Sequence, residues 1–214
     1  TPTLSSTLLP PDICSGSVFS YEPTSETPGT TFSWSRANLP GISPAGTTGT
    51  GNPNETLVNS TYEPIDVIYI FTLRANGCPH TEYVIVTVNP TPVTDAIADQ
   101  EYCSGITVPE TSITGLVSGT SFSWENNNTS IGLAANGSDN IPSFTASNTS
   151  GSAITATITI TPEANNCTGN PIQYTITVHP ESVGGEVTPD DIVCSGTNSG
   201  TLTLSGHTGD IIRW

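Results

Sequence analysis

Cysteine is the residue type with the greatest capacity for chemistry in this chain. Four of the five cysteines form two equally spaced pairs, because Cys14 and Cys78 are 64 residues apart and so are Cys103 and Cys167. No Cys-x-x-Cys or His-x-x-x-His pair is present to bind zinc. No Lys, His or Arg adjoins a cysteine in the sequence to stabilise a thiolate. The sequence therefore predicts structural disulfides, formed in an oxidising compartment.

The cysteines belong to an internal repeat. Three tryptophans lie 90 residues apart, and each ends a β-patterned run that follows a Cys-Ser-Gly sequence. The tryptophans are Trp34, Trp124 and Trp214, and the Cys-Ser-Gly sequences start at Cys14, Cys103 and Cys194. A repeat of this length is long enough to bury a core of its own. We expect two complete domains, at residues 1–91 and 92–181, and the incomplete start of a third at residues 182–214.

Alternating apolar residues predict β-strands throughout. The clearest strand covers residues 65–74, and Asn76-Gly77 then predicts the tight turn of an antiparallel hairpin. Residues 154–161 and 174–178 follow the same plan in the second repeat. No stretch has helical periodicity, so the predicted fold is all-β, built of antiparallel β-sandwich domains. Four aromatic residues are expected in the cores because they lie on inward faces: Phe32, Trp34, Phe122 and Trp124.

The pairing of the cysteines has two solutions on sequence grounds. If Cys14 precedes the second strand and Cys78 lies in the last hairpin, the two are at opposite ends of a sandwich. They would then lie far beyond the Cα separation of about 7 Å that a disulfide tolerates. A disulfide between repeats, from Cys14 to Cys167, fits that topology. If the first strand is placed differently, each repeat closes its own disulfide.

The charge of the chain narrows the classes of partner. Three basic residues against 19 acidic ones give a formal net charge of -16. Such a surface repels nucleic acids and anionic membranes, so neither is an expected partner. No segment is apolar for long enough to insert into a membrane. We expect an extracellular, cell-surface protein.

Acidic residues near the repeat junctions are candidate calcium ligands, since carboxylate oxygens are the ligands that calcium prefers. These candidates are Asp12, Asp95, Asp99, Glu101, Asp190 and Asp191. No Asp-x-Asp-x-Asp-Gly loop accompanies them, and a solvated acidic surface is the competing interpretation. No cofactor is required by any other pattern. The three histidines, His80, His179 and His207, accompany no nucleophile motif, so we expect a protein that is not an enzyme.

Four short stretches point to a known family. They are residues 13–16 (Ile-Cys-Ser-Gly), 28–34 (Pro-Gly-Thr-Thr-Phe-Ser-Trp), 75–78 (Ala-Asn-Gly-Cys) and 86–90 (Val-Thr-Val-Asn-Pro). With them the chain resembles the PKD-like and immunoglobulin-like tandem repeats of giant Bacteroidetes cell-surface proteins, a group that includes gliding-motility adhesins. The resemblance implies export by the type IX system, display outside the cell, and a stalk or adhesive role.

The sequence leaves three classes of function open. Proline-containing links at residues 89–92 and 179–181 would join neighbouring repeats into a semi-rigid rod, which suits a stalk that displays a distal binding region. Alternatively, the variable loops at residues 39–59 and 126–140 could bind glycans or an external surface. Accessory repeats of a secreted hydrolase form the third class.

Overall fold

The structure is a computed structural model, and it describes residues 1–188 and 203–207. Asp190, Asp191, Cys194 and Trp214 therefore lie outside the described residues. The Cα positions form two compact units. The first comprises Thr1–Asp95, Ile113–Phe122 and Thr161–Ile172. The second comprises Ala96–Ser112, Ser123–Ile160 and the described residues from Gln173 onward.

The first repeat contains eight strands: β1 (Ile13–Cys14), β2 (Ser17–Ser20), β3 (Thr31–Arg36), β4 (Ile42–Ser43), β5 (Thr48–Thr50), β6 (Asn54–Asn59), β7 (Ile65–Ala75) and β8 (Cys78–Asn89). They form a five-stranded sheet in the order β1-β8-β7-β3-β5 and a three-stranded sheet in the order β2-β6-β4. All pairings are antiparallel except that of β1 with β8, which is parallel. This arrangement is the predicted β-sandwich.

The predicted hairpin is the centre of this fold. Strands β7 and β8 pair along their whole length, from Ile65 opposite Val88 to Ala75 opposite Cys78. Asn76 and Gly77 make the turn with φ of 49° and 78°, a left-handed conformation that both residue types tolerate. One face of β7 is fully buried in the core, at Val67, Tyr69, Phe71 and Leu73. Alternation thus places every second side chain of β7 in the interior.

The second repeat contains β9 (Gln100–Cys103), β10 (Thr107–Val108), β11 (Ser121–Asn126), a 3-10 helix (Thr129–Ile131), β12 (Asn136–Ser138), β13 (Phe144–Thr145), β14 (Ile154–Ala164), β15 (Cys167–Thr168) and β16 (Ile172–His179). A six-stranded sheet has the order β12-β11-β14-β16-β9, with β15 paired to β14. Strands β10 and β13 pair separately. Beyond this repeat, β17 (Gly184–Thr188) pairs with β18 (Thr203–His207). The 3-10 helix is the sole helical element in the described parts of the chain.

The aromatic residues expected in the cores differ in burial. Trp34 is 9% exposed, Phe122 8% and Trp124 3%. Phe32 is half-buried and packs against the edge of the first core cluster. The two tryptophans thus occupy interior positions, and Phe32 lies at the margin of its core.

The segments expected to be variable loops contain short elements of regular structure. Residues 39–59 include β4, β5 and β6, and Leu57 of β6 is fully buried. Residues 126–140 include the 3-10 helix and β12, and they bury Ile131 and Leu133. These strands have only two to six residues. Too few side chains alternate in such short strands for the sequence pattern to reveal them.

Candidate functional site: a disulfide-linked joint

Cys14 is held at the edge of the five-stranded sheet by a parallel strand pair. Strand β1 runs beside the end of β8, with Cys14 opposite Asn89. The chain then turns at Ser15 and Gly16, whose amides donate to Asn89 O and Leu57 O, both at 2.8 Å. Gly16 has φ of 82°, which favours glycine. These hydrogen bonds leave Cys14 at the start of a tight turn, where its side chain can reach a partner.

Cys167 lies at a second tight turn, between β14 and β15. Asn165 and Asn166 make this turn with φ of 51° and 58°, a conformation in which asparagine is favoured among residues with a side chain. Ala164 then pairs with Cys167. The Cys167 side chain is 2% exposed. The Cys167 side chain therefore faces protein atoms and not solvent.

A disulfide joins Cys14 to Cys167, with a Cα separation of 5.6 Å, and both cysteines belong to the first compact unit. Of the two pairings left open by the sequence, the structure therefore has the one between repeats. Cys78 and Cys103 are free and exposed, so the disulfides within each repeat are not formed. Cys14 ends β1 beside the C-terminal end of β8, whereas Cys78 begins β8 at its opposite end. The length of β8 separates the two residues.

The linker between the repeats reinforces the joint. Thr94 forms a β-bridge with Gly115, and the Asp95 amide donates to Thr114 O at 2.8 Å. The Thr114 hydroxyl donates to the Asp95 carboxylate at 2.6 Å. A Cβ atom on Gly115 would collide with the Val93 carbonyl oxygen. Glycine at position 115 thus lets the linker backbone lie against this loop.

A second glycine makes the same kind of contact. A Cβ atom on Gly169 would collide with the Pro92 carbonyl oxygen. Around the disulfide, a polar depression of about 380 Å³ is lined by Pro11, Asp12, Cys14, Asn89, Asn165 and Asn166. Asn89 Nδ2 donates to Asn165 O at 3.5 Å across it. The joint therefore combines a covalent bond, backbone contacts and polar contacts.

The calcium candidates in the described residues are held separately. Asp12 lines the depression beside the disulfide, and Asp95 accepts the Thr114 hydrogen bond. Asp99 Oδ1 accepts from the Thr175 amide at 2.7 Å, which lowers the pKa of that carboxyl. Glu101 lies 3.4 Å from His179 Nε2. Within the described residues, no three His, Cys, Asp or Glu side chains are grouped so that they could hold a metal ion.

A buried ion pair in the first repeat was not predicted from the sequence. Arg36 Nη2 lies 2.9 Å from Glu55 Oε1, and their side chains are 0% and 11% exposed. The Tyr69 hydroxyl donates to Glu55 Oε2 at 2.6 Å. Burial raises the pKa of the Glu55 carboxyl, but the hydrogen bonds from Arg36 and Tyr69 outweigh it and leave that pKa below its usual value. Arg36 shares the strand face of Trp34, which is the sequence signal that was available.

The ion pair has a structural role, which the second repeat makes clear. Arg36 Nη2 also donates to the carbonyl oxygens of Pro44 and Ala45, both at 3.1 Å. At the corresponding place, Asn126 Nδ2 donates to the carbonyl oxygens of Leu133 and Ala134. In both repeats a polar side chain at the end of this strand thus fastens the following loop.

These features define a class of protein: tandem immunoglobulin-like β-sandwich domains with an inter-repeat disulfide. The chain belongs to the family of PKD-like domains, since the model of that family matches residues 11–92 and again residues 100–182. PKD-like domains are typically non-catalytic modules, and the comparisons indicate no enzyme family. No curated protein matches the chain in sequence.

Solved structures resemble the chain at low sequence identity. Extracellular domains 3–5 of Drosophila OTK are 10% identical, with a TM-score of 0.46 over 85% of this chain and 62% of that one. Mouse Cadherin-23 EC22-24 is 14% identical, with a TM-score of 0.39 over 86% and 67%. Fibronectin(III)-like modules of Clostridium thermocellum CbhA are 12% identical, with a TM-score of 0.36 over 84% and 95%.

In the part of the chain that the structure describes, no helix has the length and apolar character needed to cross a membrane.

Proposed function

We propose that this chain is a non-enzymatic stalk segment of a large, repetitive cell-surface adhesin. The observation that carries the proposal is the joint closed by the Cys14–Cys167 disulfide. A module that only needed to fold would require a core in each repeat and no covalent bond between repeats. A covalent joint is useful where the connection between domains must keep its geometry under load, as it must in a stalk.

The linker contacts and the charge support the same function. Two glycines let the linker backbone lie against the second repeat, which restricts the number of conformations available to the connection. A net charge of -16 makes neighbouring segments repel one another and opposes collapse. We therefore expect a semi-rigid rod of stacked sandwiches, extended by about 30–40 Å per repeat according to strand length plus loops.

An extracellular site of action fits the disulfide, because such bonds persist in oxidising environments. Resemblance to the tandem repeats of Bacteroidetes surface proteins, such as the gliding-motility adhesin SprB, extends the proposal to type IX secretion and to a role in gliding motility. In such a protein the direct partners of this segment would be its neighbouring repeats, and the adhesive contact would be made by a distal region.

Small-angle scattering tests the rod. The maximum dimension should grow linearly when the chain is compared with a protein that carries two further repeats in register. The Cys167→Ser variant of each length is the matched control, and we expect its dimensions to be more broadly distributed. A maximum dimension that stays constant as repeats are added would contradict the stalk.

A second candidate function, glycan binding, is favoured by one groove. This groove, of about 450 Å³, lies in the second compact unit and is lined by Glu125, Asn126, Asn127, Ala135, Asn136, Thr157, Thr159 and Gln173. Amide and hydroxyl groups of this kind can exchange hydrogen bonds with sugar hydroxyls. A glycan array on the wild type and on Gln173→Ala would test it, and a hit lost in the variant would favour a binding module.

A further inference from the structure

Two cysteines are free within the described residues, and they occupy the same structural positions, one in each repeat, as the two bonded ones. Cys103 is the counterpart of Cys14, and Cys78 is the counterpart of Cys167. Both free cysteines are exposed, whereas Cys14 is half-buried and Cys167 is buried. The molecule therefore contains one closed joint and the two complementary halves of another.

The surroundings of Cys103 reproduce those of Cys14. Strand β9 runs parallel to β16 with Cys103 opposite His179, as Cys14 lies opposite Asn89. The Ser104 amide donates to His179 O at 2.9 Å, and the Gly105 amide donates to Ala146 O at 2.8 Å. Both hydrogen bonds match those of Ser15 and Gly16 after Cys14. Cys103 is thus placed at the start of the same tight turn, at the same edge of its sheet.

The surroundings of Cys78 reproduce those of Cys167. Ala75 pairs with Cys78 across its hairpin as Ala164 pairs with Cys167. The two turns have similar left-handed conformations, with first φ values of 49° at Asn76 and 51° at Asn165. Each cysteine is therefore the first residue after the same kind of turn.

The linker contact is already present on the first repeat. The Ser5 amide donates to Thr24 O at 2.8 Å, just as the Asp95 amide donates to Thr114 O at 2.8 Å. Residues 1–5 thus lie against the first repeat as residues 91–95 lie against the second. Beside this docked segment, Cys78 is free and exposed, whereas Cys167 is bonded to Cys14.

We propose that Cys103 and Cys78 each form a disulfide with a cysteine of another repeat of this family. Together with Cys14–Cys167, these bonds would make a series of inter-repeat disulfides, which we call the disulfide ladder. Cys103 bonds to the turn cysteine of a repeat joined after it, and Cys78 bonds to the Cys-Ser-Gly cysteine of a repeat joined before it. Each disulfide of the ladder joins two different sites of the repeat, a Cys-Ser-Gly cysteine and a turn cysteine. The series of bonds can therefore continue from repeat to repeat without forming a closed ring. It concerns the linkage between repeats and holds whether the assembly is a stalk or a binding module.

Forming one disulfide of the ladder requires an oxidant, which we take to be a small-molecule disulfide such as oxidised glutathione. One protein thiolate attacks a sulfur of the oxidant and releases the first glutathione thiolate. The second protein thiolate attacks the protein sulfur of the mixed disulfide and releases the second. Two protein thiols thus lose two protons and two electrons, and the oxidant becomes two thiols.

A tandem protein tests the ladder. Residues 1–180 are placed before the full 214-residue chain, so that Pro180 is followed by Thr1 as Pro90 is followed by Thr91. Cys194 is replaced by Ser to remove its thiol. After oxidation, alkylation and non-reducing peptide mapping, we expect Cys103 of the upstream copy to be bonded to Cys78 of the downstream copy. Half of all Cys78 and half of all Cys103 should then resist alkylation, whereas in the single chain both alkylate fully.

Two matched variants identify the pair. Cys103→Ser in the upstream copy should return Cys78 to full alkylation, and Cys103→Ser in the downstream copy should leave Cys78 half protected. Full alkylation of Cys78 in the tandem protein would overturn the proposal. So would linked peptides dominated by Cys103–Cys103 or Cys78–Cys78 pairs. The Cys14–Cys167 peptide, expected in every variant, reports that the repeats have folded.

Discussion

Gly49 lies directly opposite Trp34 on the neighbouring strand, and the same relationship joins Gly137 to Trp124 in the second repeat. A Cβ atom on Gly49 would lie 2.5 Å from Cζ2 of Trp34. Glycine at this position thus leaves room for the indole ring to cover the edge strand. Each sandwich closes one side of its core with this pair.

Gly49→Ala should destabilise the first unit because the added methyl group overlaps the Trp34 ring. We expect a loss of about 1–3 kcal/mol in the free energy of unfolding, as for other overpacked sites, measured by thermal and denaturant unfolding. Gly151→Ala is the matched control, since its Cβ would meet no atom within 4 Å. Equal unfolding temperatures for the two variants would show that the edge strand β5 shifts freely.

Cys167→Ser should loosen the joint without unfolding either repeat, because each repeat has its own buried core. Circular dichroism should be unchanged, while amide hydrogen exchange at residues 91 and 93–95 should become severalfold faster. Cys103→Ser, which removes a free thiol, should leave this exchange as it is in the wild type. Unchanged exchange in Cys167→Ser would mean that the linker contacts alone hold the joint.

Arg36→Ala should be strongly destabilising, because it leaves the buried Glu55 carboxylate without its ion-pair partner. Removing one member of a buried pair costs about 3–5 kcal/mol, which denaturant unfolding at neutral pH can measure. Arg74→Ala serves as the control because Arg74 is exposed. A loss within the error of the Arg74 variant would contradict the role assigned to the pair.

The stability of the first unit should fall on acidification through Glu55. Its pKa is lower in the folded protein than in the unfolded chain. Its stabilising contribution is therefore present above the unfolded pKa and is lost as the pH falls through the folded pKa. In Glu55→Gln this part of the pH dependence should disappear, as followed by thermal unfolding between about pH 6 and pH 2 around the unperturbed carboxyl range. If the Glu55→Gln variant kept the pH profile of the wild type, Glu55 would not be the source of this pH dependence.

Alkaline titration should reveal tyrosines that resist ionisation, among them Tyr69 and Tyr174. Burial raises the pKa of Tyr174 to about 12, and burial together with Glu55 raises the pKa of Tyr69 further. Their raised pKa stabilises the fold below the unfolded tyrosine pKa, and this contribution is lost as the pH rises through the folded values. Absorbance titration of Tyr174→Phe should lose a late step. Tyr62→Phe, at a 49% exposed position, should leave that step in place.

Much of the fold was accessible from the sequence because its signals are local. The hairpin of β7 and β8 follows from alternating side chains and one Asn-Gly turn, and the structure contains it, with strands that extend beyond the predicted ones. The positions of the short strands β5 and β12 could not be predicted, since each strand consists of three Thr, Gly, Asn or Ser residues and has no apolar alternation. Arg36 could have been noted on an inward face, but Glu55 could not have been assigned to it, because their contact depends on packing between sheets.

The 90-residue repeat and the all-β class follow from the sequence alone, since spacing and alternation are properties of the chain; of the four cysteines predicted to form disulfides, Cys14 and Cys167 do so, and Cys78 and Cys103 are free. Tertiary structure decided which cysteines pair. The equal spacing of the cysteines is compatible with both pairings. In the fold, Cys14 and Cys78 lie at opposite ends of β8, and the turn at Asn165 places Cys167 next to Cys14. A disulfide requires proximity in space, which sequence periodicity does not encode.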